Sequence, residues 1–293
     1  MNNKTLLSIL LVLVSLIWAG SFIVVRVTID EVSPIDLGFL RFLVATPVMG
    51  LILFLLKKDN KKLPVKELPS LIVLGLTGVT LLYIFQFVGI SYTTASTAAV
   101  LINTNVLFIA LLSAFFLKER FSIVKSLGIV LSFLGVIIVI FSQTGNETIV
   151  FDNMFLFGSV FVILSAFCWA IYSIVGKRLL AKYDPFVVTT YAFILGTIFF
   201  LPVVLPDIVD AIWSVSFDGW LAVLYLALLC SVFGYVAWYY VLFRTEAGKA
   251  AVFLNLIPVF TIILSISIGE LPSYLFLIGA TLIIYGVYLT QRS

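Results

Sequence analysis

The sequence of 293 residues contains no histidine, only two cysteines and few charged residues. Without histidine the protein lacks the commonest metal ligand and the usual general base of enzymes near neutral pH. Asp, Glu, Lys and Arg make up 11% of the chain, whereas an ordinary soluble domain has about 25%. So few charges cannot cover the surface of a soluble protein of this length. The 63% of hydrophobic residues therefore predict an integral membrane protein.

Other scarce features exclude further classes of protein. Cys168 and Cys230 fall inside long apolar segments, so we interpret them as small hydrophobic side chains rather than as a disulfide or a metal pair. We expect no metal site and no cofactor. The net charge of +3 is too small to indicate nucleic-acid binding. The phosphate-binding pattern G-x-x-x-x-G-K-[ST] is missing, which argues against an ATP-driven protein.

Apolar runs long enough to cross about 30 Å of hydrocarbon as helices follow one another along the chain. Ten such runs occur, at about residues 5–25, 34–56, 68–90, 94–116, 123–141, 155–176, 185–205, 219–243, 247–268 and 273–290. The first run contains Trp18 and lacks a cleavage site of small residues, so we interpret it as a retained span rather than a signal peptide. Alternating ten-residue strands are absent, which argues against a barrel. The sequence predicts an all-α integral membrane protein with ten transmembrane helices.

The basic residues predict how these helices are oriented. If the N-terminus is cytoplasmic, 15 of the 17 lysines and arginines fall in cytoplasmic segments. The outer segments retain only Arg26, and Arg41 lies within the second span. Lysines and arginines beside a span resist translocation and collect on the cytoplasmic side. We therefore expect a multi-pass protein of the plasma membrane with both termini in the cytoplasm.

The chain also repeats itself at a shift of 151 residues, which widens to 152 in the middle of each half. The matched pairs include uncommon residue types in the same order: Trp18 with Trp169, Pro34 with Pro185, Tyr83 with Tyr235, Asn103 with Asn255, and Glu119 with Glu270. Such coincidences in order are hard to obtain by chance. We therefore divide the chain into two five-helix repeats, residues 1–144 and 145–293. Because five is odd, the second repeat enters the membrane from the opposite side, and inverted repeats of this kind are typical of secondary transporters.

Three segments of the first half are similar to those of a known family: Leu16-Ile17-Trp18-Ala19-Gly20-Ser21-Phe22 in span one, Leu40-Arg41-Phe42 in span two, and the passage from Ala95 through Leu117-Lys118-Glu119 to Gly128 and Gly135. The second half repeats the last of these from Ala247 through Gly269-Glu270 to Gly279 and Gly286. Over its whole length the chain thus resembles the drug/metabolite transporter superfamily in its EamA-type, ten-helix form. The resemblance implies a secondary transporter, similar to exporters of amino acids, other metabolites and drugs.

Spans one, three, four, six, eight and nine carry small, polar or aromatic residues at helical spacing, and we predict that they surround a central cavity. Our candidate substrate-binding residues are Trp18, Arg41, Tyr83, Gln86, Asn103, Trp169, Tyr235, Trp238 and Asn255. The aromatic candidates lie several turns inside their spans, although such rings also form belts at membrane interfaces. Indole and phenol groups suit a mostly apolar solute with one or two polar ends.

Two interpretations stay open for each of the polar candidates. Asn103 and Asn255 fit either a hydrogen bond between helices or direct contact with substrate. Arg41 fits either a structural or snorkelling role or an anchor for a substrate carboxylate. Glu119 and Glu270 lie near span ends, and we interpret both as residues that fix helix ends or loops.

Glycines in spans five and ten allow two helices to approach closely. Gly128 and Gly135 lie in the first of these spans, and Gly279 and Gly286 lie in the second. Such faces fit either a contact between the two halves or a homodimer.

These observations together predict a secondary, ATP-independent transporter of a small organic metabolite that works by alternating access. An exporter of amino acids or similar neutral or zwitterionic solutes fits best. A single buried arginine offers too little positive charge to bind a sugar phosphate or a nucleotide. The expected partners are this small-molecule substrate and the lipid bilayer. Every Asp and Glu lies in a loop or near a span end, which departs from small drug exporters of the superfamily that carry a buried glutamate in the first span.

Three alternatives have different consequences for the cavity. The alternatives are a lipid or drug translocator and a non-transporting membrane scaffold. A lipid translocator would open laterally between spans, whereas a scaffold would seal the candidate residues in packing. An enzyme is not expected, because the sequence has no buried carboxylate pair, no Cys/His pair and no H-E-x-x-H helix.

Overall fold

The computed structural model describes residues 3–56, 63–117, 123–141, 153–206, 208–245, 250 and 252–292. Over this part of the chain the fold consists of helices and their connections, with no strand. Seven described helices are long and apolar enough to cross a membrane. Three shorter apolar helices accompany them, Ser126–Val139, Phe253–Ile268 and Tyr274–Gly286. A chain built in this way is a multi-pass membrane protein, because helices satisfy their own backbone hydrogen bonds in lipid.

We number the main helices α1 to α10 in chain order. In the first half they are α1 (Asn3–Thr28), α2 (Pro34–Leu55), α3 (Val65–Ser91), α4 (Ala95–Ile102, continued by Asn105–Leu117) and α5 (Ile123–Phe141). In the second half they are α6 (Asn153–Leu180), α7 (Pro185–Val204), α8 (Phe217–Arg244), α9 (Val252–Asn255, continued by Leu256–Ser265 and Ile266–Ile268) and α10 (Tyr274–Arg292). A short helix, Ile208–Ser214, precedes α8.

Local sequence explains where α2 and α7 begin. Pro34 and Pro185 occupy the first helical position, where a missing N–H costs nothing. The residue before each proline is a capping residue whose side chain accepts a backbone hydrogen bond, Ser33 for α2 and Asp184 for α7. These matching starts place the two helices at equivalent points of the two halves.

Within the described residues, three helices contain a π segment or an internal turn. A π segment covers Leu76–Thr80 in α3, and a longer one covers Tyr225–Phe233 in α8. The helix α4 breaks at a turn formed by Asn103 and Thr104. Such interruptions change the direction of nearby side chains and leave backbone carbonyls available to other donors, and they are frequent at functional sites.

The glycine faces of α5 and α10 pack against each other within one chain. A Cβ atom on Gly135 would lie 2.7 Å from the backbone oxygen of Gly279, so neither position has room for a larger side chain. Nearby, the Ser132 hydroxyl donates to the Ile283 carbonyl at 3.2 Å. Of the two contacts that these glycines fit, the structure therefore contains the one between the two halves.

Residues that the internal repeat pairs also contact each other directly. Thr46 and Thr197, 151 positions apart, join α2 to α7 through hydroxyl groups separated by 2.7 Å. Asn103 and Asn255, 152 positions apart, join α4 to α9. The two halves thus meet along residues that hold the same place in each half.

Candidate substrate cavity

A partly open cavity lies between α1, α2, α3, α4, α6, α8 and α9. The empty space within it and at its mouth, open solvent included, is about 500 Å³. Its walls are formed by Trp18, Ser21, Phe22, Arg41, Leu82, Tyr83, Gln86, Ile102, Asn105, Trp169, Tyr235, Leu254 and Ile257. The six helices predicted to surround a cavity all contribute to it, and α2 contributes Arg41.

Six of the nine candidate residues line this cavity, namely Trp18, Arg41, Tyr83, Gln86, Trp169 and Tyr235. They come from both halves of the chain and from regions far apart in sequence. The other three, Asn103, Trp238 and Asn255, lie outside the lining. Substrate contact at any of the nine stays a prediction, but the first six share one accessible space.

The asparagines join two helices instead of lining the cavity. The Asn103 side-chain amide donates from Nδ2 to Oδ1 of Asn255 at 3.0 Å, and both residues are buried. This contact is the helix-to-helix hydrogen bond that was one of the two interpretations of these amides. It lies where α4 breaks and where α9 changes from a 3-10 segment to an α-helix.

Trp238 is fully buried and packs behind the cavity wall. Its ring centroid lies 6.2 Å from that of Trp18 and 5.9 Å from that of Trp169. Its indole Nε1 has no hydrogen-bond partner among the described residues. Trp238 therefore supports the two indoles that do line the cavity. Sequence spacing alone cannot separate Trp238 from Tyr235, which does line the cavity. The two residues are three apart and lie on the same side of α8.

The paired indoles form one wall of the cavity. Trp18 and Trp169 meet edge to face, with ring centroids 5.3 Å apart, an arrangement that aromatic pairs favour. Trp18 Nε1 donates to the backbone carbonyl of Cys230 at 3.0 Å, inside the π segment of α8. A Cβ atom on Gly234 would lie 2.5 Å from this Nε1. The π segment and the glycine together therefore position Trp18.

The paired tyrosines are positioned in a similar way from the other π segment. The Tyr235 hydroxyl donates to the backbone carbonyl of Gly78, in α3, at 2.7 Å. It also lies 2.9 Å from the hydroxyl of Tyr83. Both rings are buried. Each π segment thus supplies a carbonyl that orients an aromatic residue from another helix, an effect that no sequence pattern indicated.

Arg41 is the charged group of the cavity. Only 2% of its surface is exposed. Its Nε donates to the hydroxyl of Ser231, and its guanidinium carbon lies 4.1 Å from the centroid of the Tyr83 ring. Within the described residues no carboxylate lies at ion-pair distance from it. The arginine therefore holds a positive charge at the cavity wall beside the Ser231 hydroxyl and the rings of Tyr83 and Phe42, and an anionic group on a solute would complement it.

Asn105 also lines the cavity, and the sequence analysis missed it. It is 5% exposed, and its Oδ1 accepts no hydrogen bond among the described residues. In a regular helix, residues two apart point about 200° apart, so the face that contains Asn103 excludes Asn105. The break at Asn103 and Thr104 changes this direction. The sequence feature that could have indicated Asn105 is the run of three consecutive polar residues, Asn103-Thr104-Asn105. One face of a regular helix would not contain all three.

Glu270 fixes a helix end, as its position predicted. Its carboxylate accepts from the backbone N–H groups of Ala95 at 3.0 Å and Ser96 at 3.2 Å, in the first turn of α4. It lies 3.9 Å from Nε of Arg26. A carboxylate at a helix N-terminus satisfies unpaired N–H groups and interacts favourably with the helix dipole. Its counterpart in the repeat, Glu119, lies outside the described residues.

Apolar helices around a cavity with a buried cation in its wall define a multi-pass membrane protein. Comparison with known proteins identifies the family. The EamA-like transporter family matches the chain twice, at residues 5–141 and 156–292. The chain belongs to this family, and it is a membrane transporter rather than an enzyme.

Individual relatives agree with this assignment. An "uncharacterized transporter" of Archaeoglobus fulgidus is 41% identical, with 99% of this chain and 98% of that protein covered. The "uncharacterized transporter YyaM" of Bacillus subtilis is 31% identical over 93% of this chain and 89% of its own. A "probable terminal-alkyne amino-acid exporter" of Streptantibioticus cattleyicolor is 28% identical over 96% and 92% of the two chains. A solved structure described as "Crystal structure of protein" has a TM-score of 0.69 at 20% identity, covers 97% of this chain and 96% of its own, and shows the fold alone.

Proposed function

We propose that the protein is a secondary transporter that exports amino acids, or similar neutral or zwitterionic solutes, by alternating access. The observation that carries this proposal is the buried Arg41 at the wall of an otherwise largely aromatic and aliphatic cavity. An amino acid offers a carboxylate to the guanidinium and an apolar side chain to the rings of Trp18 and Trp169. The six candidate residues in the lining are the proposed substrate contacts.

The proposed topology has ten spans arranged as two inverted repeats, residues 1–144 and 145–293. Each of the seven long and three short apolar helices overlaps a different one of the ten predicted spans, which supports this count. The two matches to the family begin 151 residues apart, at residues 5 and 156. Contacts between repeat partners, such as Asn103 with Asn255, are expected where a two-fold axis between the halves passes. The distribution of lysine and arginine supports a plasma-membrane protein with both termini in the cytoplasm.

Alternating access would occur at the contact between the halves. In inverted-repeat transporters one half moves against the other around a site near the membrane midplane. Here α4 and α9 meet at Asn103 and Asn255, beside cavity residues from both halves. The amino-acid substrate also draws support from the Streptantibioticus cattleyicolor relative, which is described as a probable amino-acid exporter.

The experiment that tests this function is counterflow of radiolabelled amino acids into liposomes that contain the purified protein and an excess of unlabelled solute. We expect uptake by wild type and at least a tenfold loss for Arg41→Gln. The matched control is Arg244→Gln, which removes the same charge from an exposed position outside the cavity lining. A second set of vesicles with a pH gradient tests whether protons are coupled.

Two results would contradict the proposal. If no amino acid in the pool is exchanged, the amino-acid substrate is wrong. If Arg41→Gln exchanges as fast as Arg244→Gln, the cavity is not the transport site. Fluorescent phospholipids in parallel vesicles provide the comparison with a lipid translocator, which would move them between leaflets.

A further inference from the structure

The cavity is symmetric in its aromatic residues and asymmetric in its polar ones. With the repeat shifts of 151 and 152 residues, several lining positions carry similar side chains in both halves: Trp18 and Trp169, Tyr83 and Tyr235, Ile102 and Leu254. At three other positions the first half has a charged or amide lining residue where the second half has an apolar or aromatic one: Arg41 against Ala192, Gln86 against Trp238, and Asn105 against Ile257. The duplicated architecture thus keeps its ring pairs, while the strongly polar groups come from the first half.

These three polar groups line the cavity from helices of the first half. They lie on α2, α3 and α4, whereas Trp169, Leu254 and Ile257 form the lining from α6 and α9. All three are at least nine-tenths buried, with Arg41 2%, Gln86 8% and Asn105 5% exposed. A buried polar side chain is costly unless it has partners. A solute whose own polar groups lie at one end would supply them.

Two of these groups have specific unused bonding capacity. Arg41 has no carboxylate partner among the described residues, so an anion complements it. The Oδ1 atom of Asn105 is buried, and no donor from the described residues reaches it. A buried acceptor without a donor is unfavourable, and a ligand N–H group corrects this. The missing partners are therefore an anionic group for Arg41 and a hydrogen-bond donor for Asn105.

We propose that the cavity binds its solute in a single orientation, with the anionic group at Arg41, an amino group at Asn105 and an apolar remainder toward the second half. This inference rests on the proposed function and specifies its substrate class as amphipathic amino acids. Asn105 is then the residue that distinguishes an amino acid from a carboxylate without an amino group. Ile257, at the equivalent place in the second half, contacts the apolar remainder.

The test is equilibrium binding of three labelled probes to the purified full-length protein in lipid nanodiscs. L-Phenylalanine has all three features, 3-phenylpropionate lacks the amino group, and L-glutamine is polar at both ends. We expect phenylalanine to bind at least about tenfold more tightly than either of the others, a difference of about 1.4 kcal/mol. In Asn105→Ile we expect the preference over 3-phenylpropionate to fall to about twofold, because only the acceptor for the amino group is lost.

The repeat provides the matched control. Asn105→Ile combined with Ile257→Asn keeps the composition of the cavity but moves the amide from α4 to the equivalent position on α9. We expect this double variant to stay as unselective as Asn105→Ile, since the anion is still held at Arg41. Recovery of the wild-type preference would overturn the single orientation. Asn105→Gln, which keeps an amide acceptor oxygen and adds no charge, is expected to retain the preference and separates the loss of the acceptor from a folding defect.

Failure of this inference differs from failure of the proposed function. Equal binding of phenylalanine and 3-phenylpropionate to wild type overturns the inference, even if amino acids are exchanged in the counterflow assay. No binding of phenylalanine also overturns it. Selective binding that depends on Asn105, without exchange of any amino acid, supports the inference and contradicts the transport proposal.

Discussion

The side chains of Asn103 and Asn255 are joined by a 3.0 Å hydrogen bond, although 152 residues separate them in sequence. They hold the same place in the two halves of the chain, and each lies where its helix is irregular. A hydrogen bond between two buried amides in a membrane protein contributes modestly to stability, because the separated helices find other partners. Its main structural effect is to fix α4 against α9 beside the cavity.

We expect Asn103→Ala and Asn255→Ala each to lower the free energy of unfolding by about 1 kcal/mol, with a coupling energy of about 0.6 kcal/mol between them. A double-mutant cycle measured by denaturant unfolding in detergent checks this. Binding selectivity among the three probes should not change, since neither residue lines the cavity. Fully additive effects would show that the hydrogen bond does not contribute.

Glu270 should stabilise the start of α4. Glu270→Ala removes the acceptor of the Ala95 and Ser96 N–H groups, and we expect a loss of about 1–2 kcal/mol. Thermal unfolding compared with Asp210→Asn, which removes a carboxylate from an exposed position, measures the effect. An equal change in the two variants would mean that Glu270 contributes only its charge.

Gly234 should be required for the position of Trp18. A methyl group there would lie 2.5 Å from Nε1 of Trp18, so Gly234→Ala must move the indole that lines the cavity. We expect a loss of stability of about 1–3 kcal/mol, together with weaker binding of L-phenylalanine. The control is Gly50→Ala in α2, where nothing lies within 4 Å of the added atom. Unchanged binding in Gly234→Ala would separate the position of Trp18 from recognition.

The Tyr235 hydroxyl should stabilise the π segment of α3. In Tyr235→Phe the buried carbonyl of Gly78 loses its 2.7 Å donor, and an unsatisfied buried acceptor costs about 1–3 kcal/mol. Tyr285→Phe, at an exposed ring on α10, should have almost no effect. Unfolding of the two variants under the same conditions checks the difference, and equal stability would show that another donor replaces the hydroxyl.

Much of the cavity was predictable from the sequence, because polar and aromatic side chains inside apolar spans avoid the lipid. This reasoning placed Trp18, Trp169, Tyr83 and Tyr235 in one site, and the structure brings all four to one cavity. It did not include Asn105, because the assignment assumed a continuous helix. With α4 broken at Asn103 and Thr104, Asn103 joins two helices and Asn105 lines the cavity.

The sequence by itself determined the class of protein, the approximate spans and the pairing of the two halves. Hydrophobic length is set by the thickness of the bilayer, and a duplication remains readable as long as uncommon residues stay in order. Only the tertiary structure decided which buried polar groups have partners. The carbonyls that orient Trp18 and Tyr235 come from π segments of other helices, and Arg41 meets Ser231 across 190 residues. Such contacts depend on irregular backbone and distant packing, and neither is encoded in the periodicity of a single helix.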